Sequence, residues 1–102
     1  MKSIDYVEMQ AKAQISYYFL YLKSKYNNDV AREETAEVCL TATGRQADAY
    51  KNHQTVLDEE DKDLKTLAKM SAKAIYDLYL KYDGQDLANK KIARLFFDVA
   101  EK

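Results

Sequence analysis

The chain contains no proline and only two glycines, Gly44 and Gly84. Proline and glycine are the usual punctuation of turn-rich β proteins. A chain that nearly lacks both must consist of a few long elements joined by short connections. Abundant Ala, Lys, Glu, Leu and Asp make those elements helices. With 102 residues, 47% of them hydrophobic and 32% charged, the chain reads as one folded domain spanning residues 1–102, and not as a disordered segment.

Hydrophobic periodicity and capping residues place the elements. Helix 1 is expected from about Ile4 to Lys25, capped by Ser3, with Asp5 and Glu8 near its positive end. Asn27-Asn28 suits a turn in left-handed backbone, and Asp29 would cap helix 2. Ala36, Leu40, Ala47, Tyr50 and Leu57 keep one helical phase across Gly44. One long helix, kinked at Gly44, is therefore favoured over a helix that ends at Thr43 with Gly44 as its C-terminal stop. Helix 3 is expected to start near Thr55 or Asp58, where Thr55-Val-Leu-Asp58 resembles a capping box, and to run to Tyr82. Gly84 would supply its left-handed stop, and Asp86 would cap helix 4 from Leu87 to about Glu101. The expected fold class is all-α: an antiparallel up-down bundle of four helices, or of three if the break near Asp58 is absent.

Helix 1 carries two apolar stripes at about 100° per residue. The first is Ile4, Val7, Ala11, Ile15, Tyr18, Leu22 and Tyr26. The second, roughly opposite, is Tyr6, Met9, Ala13, Tyr17 and Leu20, with Tyr21 at its edge. A surface helix needs one stripe, so helix 1 is either central in the bundle or meets another chain. On helix 3 the expected core stripe is Leu64, Leu67, Ala68, Ser71, Ile75, Leu78 and Tyr82. Tyr76 and Leu80 then fall on the solvent side, among Lys62, Lys65, Lys69 and Lys73. Helix 4 should bury Ala88, Ile92, Leu95, Phe96 and Val99, with Phe97 off the stripe. Nine tyrosines and no tryptophan are unusual in a short chain, and tyrosine is enriched where proteins meet. Tyr6, Met9, Tyr17, Leu20, Tyr21, Tyr76, Leu80 and Phe97 are the candidate partner-binding residues.

Charge is balanced: 16 basic against 17 acidic residues, with seven of each sign in residues 1–51. Bulk attraction to nucleic acid or anionic lipid is not expected. Lys62, Lys65, Lys69, Lys73, Lys90, Lys91 and Arg94 are nonetheless the candidate phosphate contacts, interleaved with Asp77 and Asp98. The only histidine is His53, and Tyr50 stands three residues before it, so the Glu-x-x-His pairs of di-iron bundles are absent. His53 reads as a solvated residue near a helix end, with a pH-sensing role as its functional alternative. One cysteine and one histidine do not make a zinc site. Cys39 lies in a helical pattern and reads as a small core residue. Asp58-Glu59-Glu60-Asp61 reads as a helix start, without the alternation and glycine of a calcium loop. No metal or other cofactor is expected. The longest apolar run, Tyr17 to Leu22, is far short of the roughly 20 residues of a membrane span. The N-terminus carries acids where a leader would be apolar, so a cytoplasmic location is expected.

In size and helical make-up the chain is similar to bacteriocin immunity proteins and to phage-encoded inhibitors of host or defence enzymes, a likeness of architecture that no motif carries. The expected function is a non-enzymatic interaction protein, an inhibitor, adaptor or immunity-type factor that docks a tyrosine-rich helical face onto a partner protein. A homodimer closed along helix 1 is the second expectation, and a nucleic-acid module using the lysine face the third.

Overall fold

The computed structural model describes residues 3–45 and 51–101. Four helices account for most of them: α1 Ile4–Lys25, α2 Asn28–Ala42, α3 Glu59–Asp83 and α4 Gln85–Ala100. They pack as an all-α bundle around one apolar core.

Each helix end has a local cause. Ser3 caps α1, its hydroxyl accepting from Tyr6 N at 3.2 Å. The α1–α2 link is only Tyr26 and Asn27. Asn27 is extended (φ −167°, ψ 178°) and its side chain accepts from Val30 N at 2.9 Å. Asn27, not Asp29, therefore caps α2, and Asp29 stays in the first turn, where the helix dipole favours an acid. Neither Asn27 nor Asn28 needs left-handed backbone; among the described residues only Gly44 and Gly84 have positive φ.

The continuous second helix is not formed. Arg45 N donates to Leu40 O, and Gly44 N donates to Thr41 O. These two bonds are the Schellman pattern, which closes a helix around a residue of positive φ. Gly44, at φ 86°, is that residue. The shared phase of Ala36 and Leu40 with Leu57 was thus coincidental; Ala47 and Tyr50 lie outside the described residues. From Lys51 to Leu57 burial alternates residue by residue, with Lys51, His53, Thr55 and Leu57 turned inward. That is the period of extended backbone and not of a helix.

The capping box at α3 sits three residues later than Thr55. Asp58 Oδ1 accepts from Asp61 N, and Asp61 Oδ2 accepts from Asp58 N, both at 3.0 Å. Gly84 (φ 83°, ψ 171°) ends α3 and starts α4 without a side-chain cap, so Asp86 is a first-turn acid and not the cap.

Contacts fix the helix directions. Tyr26 near the end of α1 meets Asp61 at the start of α3, and Glu8 near the start of α1 meets Tyr79 near the end of α3. Hence α1 and α3 are antiparallel. Arg32 near the start of α2 meets Glu101 beyond the end of α4, and Asp98 of α4 meets Lys12 of α1. The hairpins α1–α2 and α3–α4 are each antiparallel. Residues 51–53 come back to Glu33 and Glu34 in α2, so the connection doubles back and α3 runs in the same direction as α2.

The face that α3 buries is rotated from the expected one. Ala68, Ala72, Ile75, Tyr76 and Tyr79 are buried, while Leu67 and Tyr82 are exposed. Alanines at 68 and 72 let neighbouring helices approach closely. Both buried tyrosines place their hydroxyls: Tyr76 donates to Asn89 Oδ1 and Tyr79 to Glu8 Oε2, each at 2.5 Å. Helix α4 buries Ala88, Ile92, Leu95 and Val99 as expected, Phe96 of the same expected stripe is only half-buried, and Cys39 is buried in α2. No helix is long and apolar enough to cross a membrane among the described residues.

Candidate functional site

The second stripe of α1 lies on the outside of the bundle. Tyr6, Met9, Tyr17 and Leu20 are 43%, 62%, 57% and 59% exposed, and Ala13 is exposed between them. The central-helix explanation of this stripe therefore fails, because no element of the described chain covers it. Seen down the helix, the outer positions are Tyr6, Met9, Gln10, Ala13, Gln14, Tyr17, Leu20, Tyr21 and Ser24. None is charged, in a chain that is 32% charged. At 1.5 Å per residue the stripe is about 27 Å long.

Helix α3 forms a shoulder beside it. Ser71 joins Gln10, Ala13, Gln14 and Tyr17 around one shallow depression, and Glu60 joins Tyr17, Leu20, Tyr21, Ser24 and Lys25 around the next. Tyr17 is the ridge between the two. On α3, Leu67 shares the helical face of Ser71 and is exposed. The surface is thus a two-helix face with a central aromatic ridge, small floors at Ala13 and Ser71, and polar ends.

The other expected partner-binding residues do not join it. Tyr21 is half-buried and its hydroxyl donates to Asp61 at 2.7 Å, so it braces the bundle at the edge of the stripe. Tyr76, expected in solvent, is core. Leu80 falls on another side of α3 from Leu67. Phe97 is exposed on the α2–α4 side, at an apolar recess of about 260 Å³ with Leu40, Ile92 and Phe96.

Nor do the seven basic residues form a free cationic face. Lys65 is drawn inward to Glu34 and Glu37. Lys73 pairs with Asp77 at 2.6 Å and Lys91 with Asp83 at 2.5 Å. Lys91 and Arg94 do line a cleft of about 180 Å³ with Lys12, but Glu8 and Asp98 line the same cleft. Lys62, Lys90 and Arg94 are exposed and Lys69 is half-buried. Counterion release needs clustered, unneutralised charge, which this arrangement dilutes.

Two buried polar clusters were not legible as such in the sequence. In the first, Glu34 is fully buried in α2 and meets Lys65 (2.8 Å), Lys51 (3.1 Å) and His53 Nε2 (2.9 Å). Burial works against its charge, but the bonds from Lys65, His53 and Lys51 prevail and hold its carboxyl below the usual range. His53 is correspondingly not solvated: its side chain is buried. Its Nδ1 accepts from Thr55 N at 3.2 Å, which leaves Nε2–H to donate to Glu34. Next to it, Glu33 accepts from the backbone N–H of both His53 and Asn52, which lowers its pKa. Two adjacent glutamates of α2 therefore clasp the returning segment.

In the second cluster Asp61, fully buried, accepts from Tyr26 (2.5 Å), Tyr21 (2.7 Å), Lys25 (3.0 Å) and Asp58 N. Against its burial these bonds hold the carboxyl well below the usual range. Tyr18 lies between the clusters. Burial, and then the fields of Glu34, Glu37 and Asp61, push its phenol far up. Its hydroxyl and that of Thr35 are buried without hydrogen-bond partners among the described residues. Burial alone pushes the Cys39 thiol up to about 12, the environment of an inert core thiol. Among the described residues no group of three or more His, Cys, Asp or Glu is arranged to hold a metal ion. Comparison with protein-family models, with curated proteins and with solved structures gave no match.

Proposed function

We propose that this protein works by binding another protein through the uncharged outer stripe of α1 and the α3 shoulder beside it, and that it is not an enzyme. The observation that carries this reading is the stripe itself: four large, exposed apolar side chains in one row, with no charged residue among its positions. Scattered exposed hydrophobics are ordinary, but a contiguous patch marks a site of association. Tyrosine suits such a place because it tolerates water when free and gains contact area when covered. Tyr17, at the ridge, is the anchor. The action that follows from docking alone is steric: covering a partner's surface, as an inhibitor or immunity-type factor does, or joining two partners, as an adaptor does. A cytoplasmic setting belongs to the same reading, since the one thiol is free and buried.

The test compares binding with folding. Tyr17→Lys or Leu20→Lys places a charge in the stripe at an exposed position, so helix content and melting temperature should stay close to those of the parent. Binding should weaken at least tenfold. A partner held equally well by both variants would sink the proposal. Tyr21→Ala serves as the contrast, since its loss strips a bond from Asp61 and should lower the melting temperature.

A further inference from the structure

Resting on the reading of the α1 stripe as a docking surface, we infer that its occupant is a second copy of the chain, laid antiparallel along α1 about a two-fold axis beside residue 15. Size, charge and area on this surface all agree with that register.

In an antiparallel pair centred there, residue numbers facing each other sum to about 30. Tyr17 then stands opposite Ala13 of the second copy, and Tyr6 opposite Ser24. The two most exposed rings of the stripe each meet a small residue, while Leu20 faces Gln10 and Met9 faces the edge ring Tyr21, and the two-fold axis repeats every contact. The depression floored by Ala13 and Ser71 receives the opposing Tyr17, and the one beside Ser24 receives Tyr6. The spacing of 6, 10, 13, 17, 20 and 24 alternates four and three, the repeat with which one helix seats side chains on another.

Charge is consistent with self-pairing. Because the stripe is uncharged, pairing it with itself brings no like charges together in its centre. On one flank Asp5 and Lys23 are both exposed, and their numbers sum to 28. The antiparallel arrangement therefore puts Lys23 of each copy within side-chain reach of Asp5 of the other, giving two symmetric ion pairs at the rim. The exposed portions of Tyr6, Met9, Tyr17, Leu20 and Leu67 amount to roughly 500 Å², which with the polar rim approaches the ~800 Å² per partner of an ordinary stable interface.

Sedimentation equilibrium over a dilution series tests this. The expected mass is twice the 11.8 kDa of one chain at high concentration, falling to 11.8 kDa on dilution. Leu20→Lys should stay at the single-chain mass with unchanged helix content. Lys23→Glu and Asp5→Lys should each raise the dissociation constant by about fivefold, and the double exchange should restore it. Both substitutions oppose the α1 dipole, so a general loss of stability would be worst in the double variant, the reverse of the recovery expected here. A single-chain mass at every concentration overturns the second copy. If Leu20→Lys then still abolishes binding to a different protein, the docking surface stands without it. A dimer indifferent to Leu20→Lys overturns the second copy on this stripe, and the docking surface then stands or falls on whether Leu20→Lys weakens binding to a different protein.

Discussion

The charged residues that matter most to this fold are those the sequence makes look most ordinary. Lys65 sits in a row with Lys62, Lys69 and Lys73 and reads as one more solvated lysine, yet it is the main counter-charge of a fully buried glutamate. His53 and Glu34 are nineteen positions apart, with a helix end between them, and no local pattern announces that they touch. Burying charge is costly, so such a cluster survives only when every member is partnered, and a single-sequence pattern does not show partners. The same reasoning gives opposite outcomes for one chemical change at two tyrosines. Tyr26 donates to the buried Asp61, so Tyr26→Phe leaves a carboxylate short of a bond and should lower the urea midpoint. The buried Tyr18 hydroxyl has no hydrogen-bond partner among the described residues, so Tyr18→Phe removes an uncompensated polar group. It should leave stability unchanged or raise it by up to ~1 kcal/mol. Equal losses in both variants would mean that Tyr18 has a partner in solution.

At the scale of elements, the sequence was most informative where a helix end depends on one residue. Ser3, Gly84 and the boundaries of α1 and α3 follow from local chemistry and stand within a residue or two of expectation. The second helix departs from its periodicity because a single glycine ends it. A matching phase across Gly44 costs a sequence nothing, whereas the two bonds that close α2 there need positive φ. The phase of α3 misled for a different reason: leucines outrank alanines on any hydrophobic scale, but closely packed helices prefer the alanines, and Leu67 is left on the outer shoulder. That displacement is what supplies the α3 side of the candidate site. The two glycines share a positive φ but close different structures, Gly44 the end of α2 and Gly84 the α3–α4 link. Neither would bring an added Cβ within 4 Å of other atoms, so substitution costs arise from conformation alone. Gly84, with ψ 171° at φ 83°, occupies a region essentially reserved for glycine. Gly84→Ala should therefore cost about 2 kcal/mol, and Gly44→Ala about 1 kcal/mol. Denaturant midpoints with unchanged slopes would establish both; a Gly84→Ala variant as stable as the parent would show that the α3–α4 link can take another path.

For the whole molecule, these clusters predict stability lost at both ends of the pH scale, for separable reasons. Asp61, Glu34, Glu33 and Asp58 are all held below the usual carboxylate range in the folded chain. Unfolded, they titrate near ~4, so the unfolded chain binds more protons as pH falls through that range. Stability should be level above about pH 5 and decline below it, with a drop in melting temperature on the order of 10 °C between pH 6 and pH 3. The alkaline side runs through groups whose pKa is raised by folding. Burial, joined by nearby carboxylates, pushes up Tyr18 and Tyr79; burial pushes Cys39 to about 12; and hydrogen bonds to Asp58 and Asp61 raise Lys25. Each contributes stability that is whole below its unfolded pKa and is lost as pH rises toward its folded one. The Cys39 thiol sets the onset, at about pH 9, and the tyrosines deepen the loss from about pH 10. One variant separates the two arms. Tyr18→Phe removes an ionisable group from the alkaline side and leaves every carboxylate bond of the acid side in place. Its alkaline unfolding midpoint should move to higher pH, by more than any gain in stability at neutral pH moves its acid midpoint downward. An unmoved alkaline midpoint would mean that ionisation of Tyr18 does not drive unfolding there, and would leave Tyr79, Cys39 and Lys25 to account for that arm.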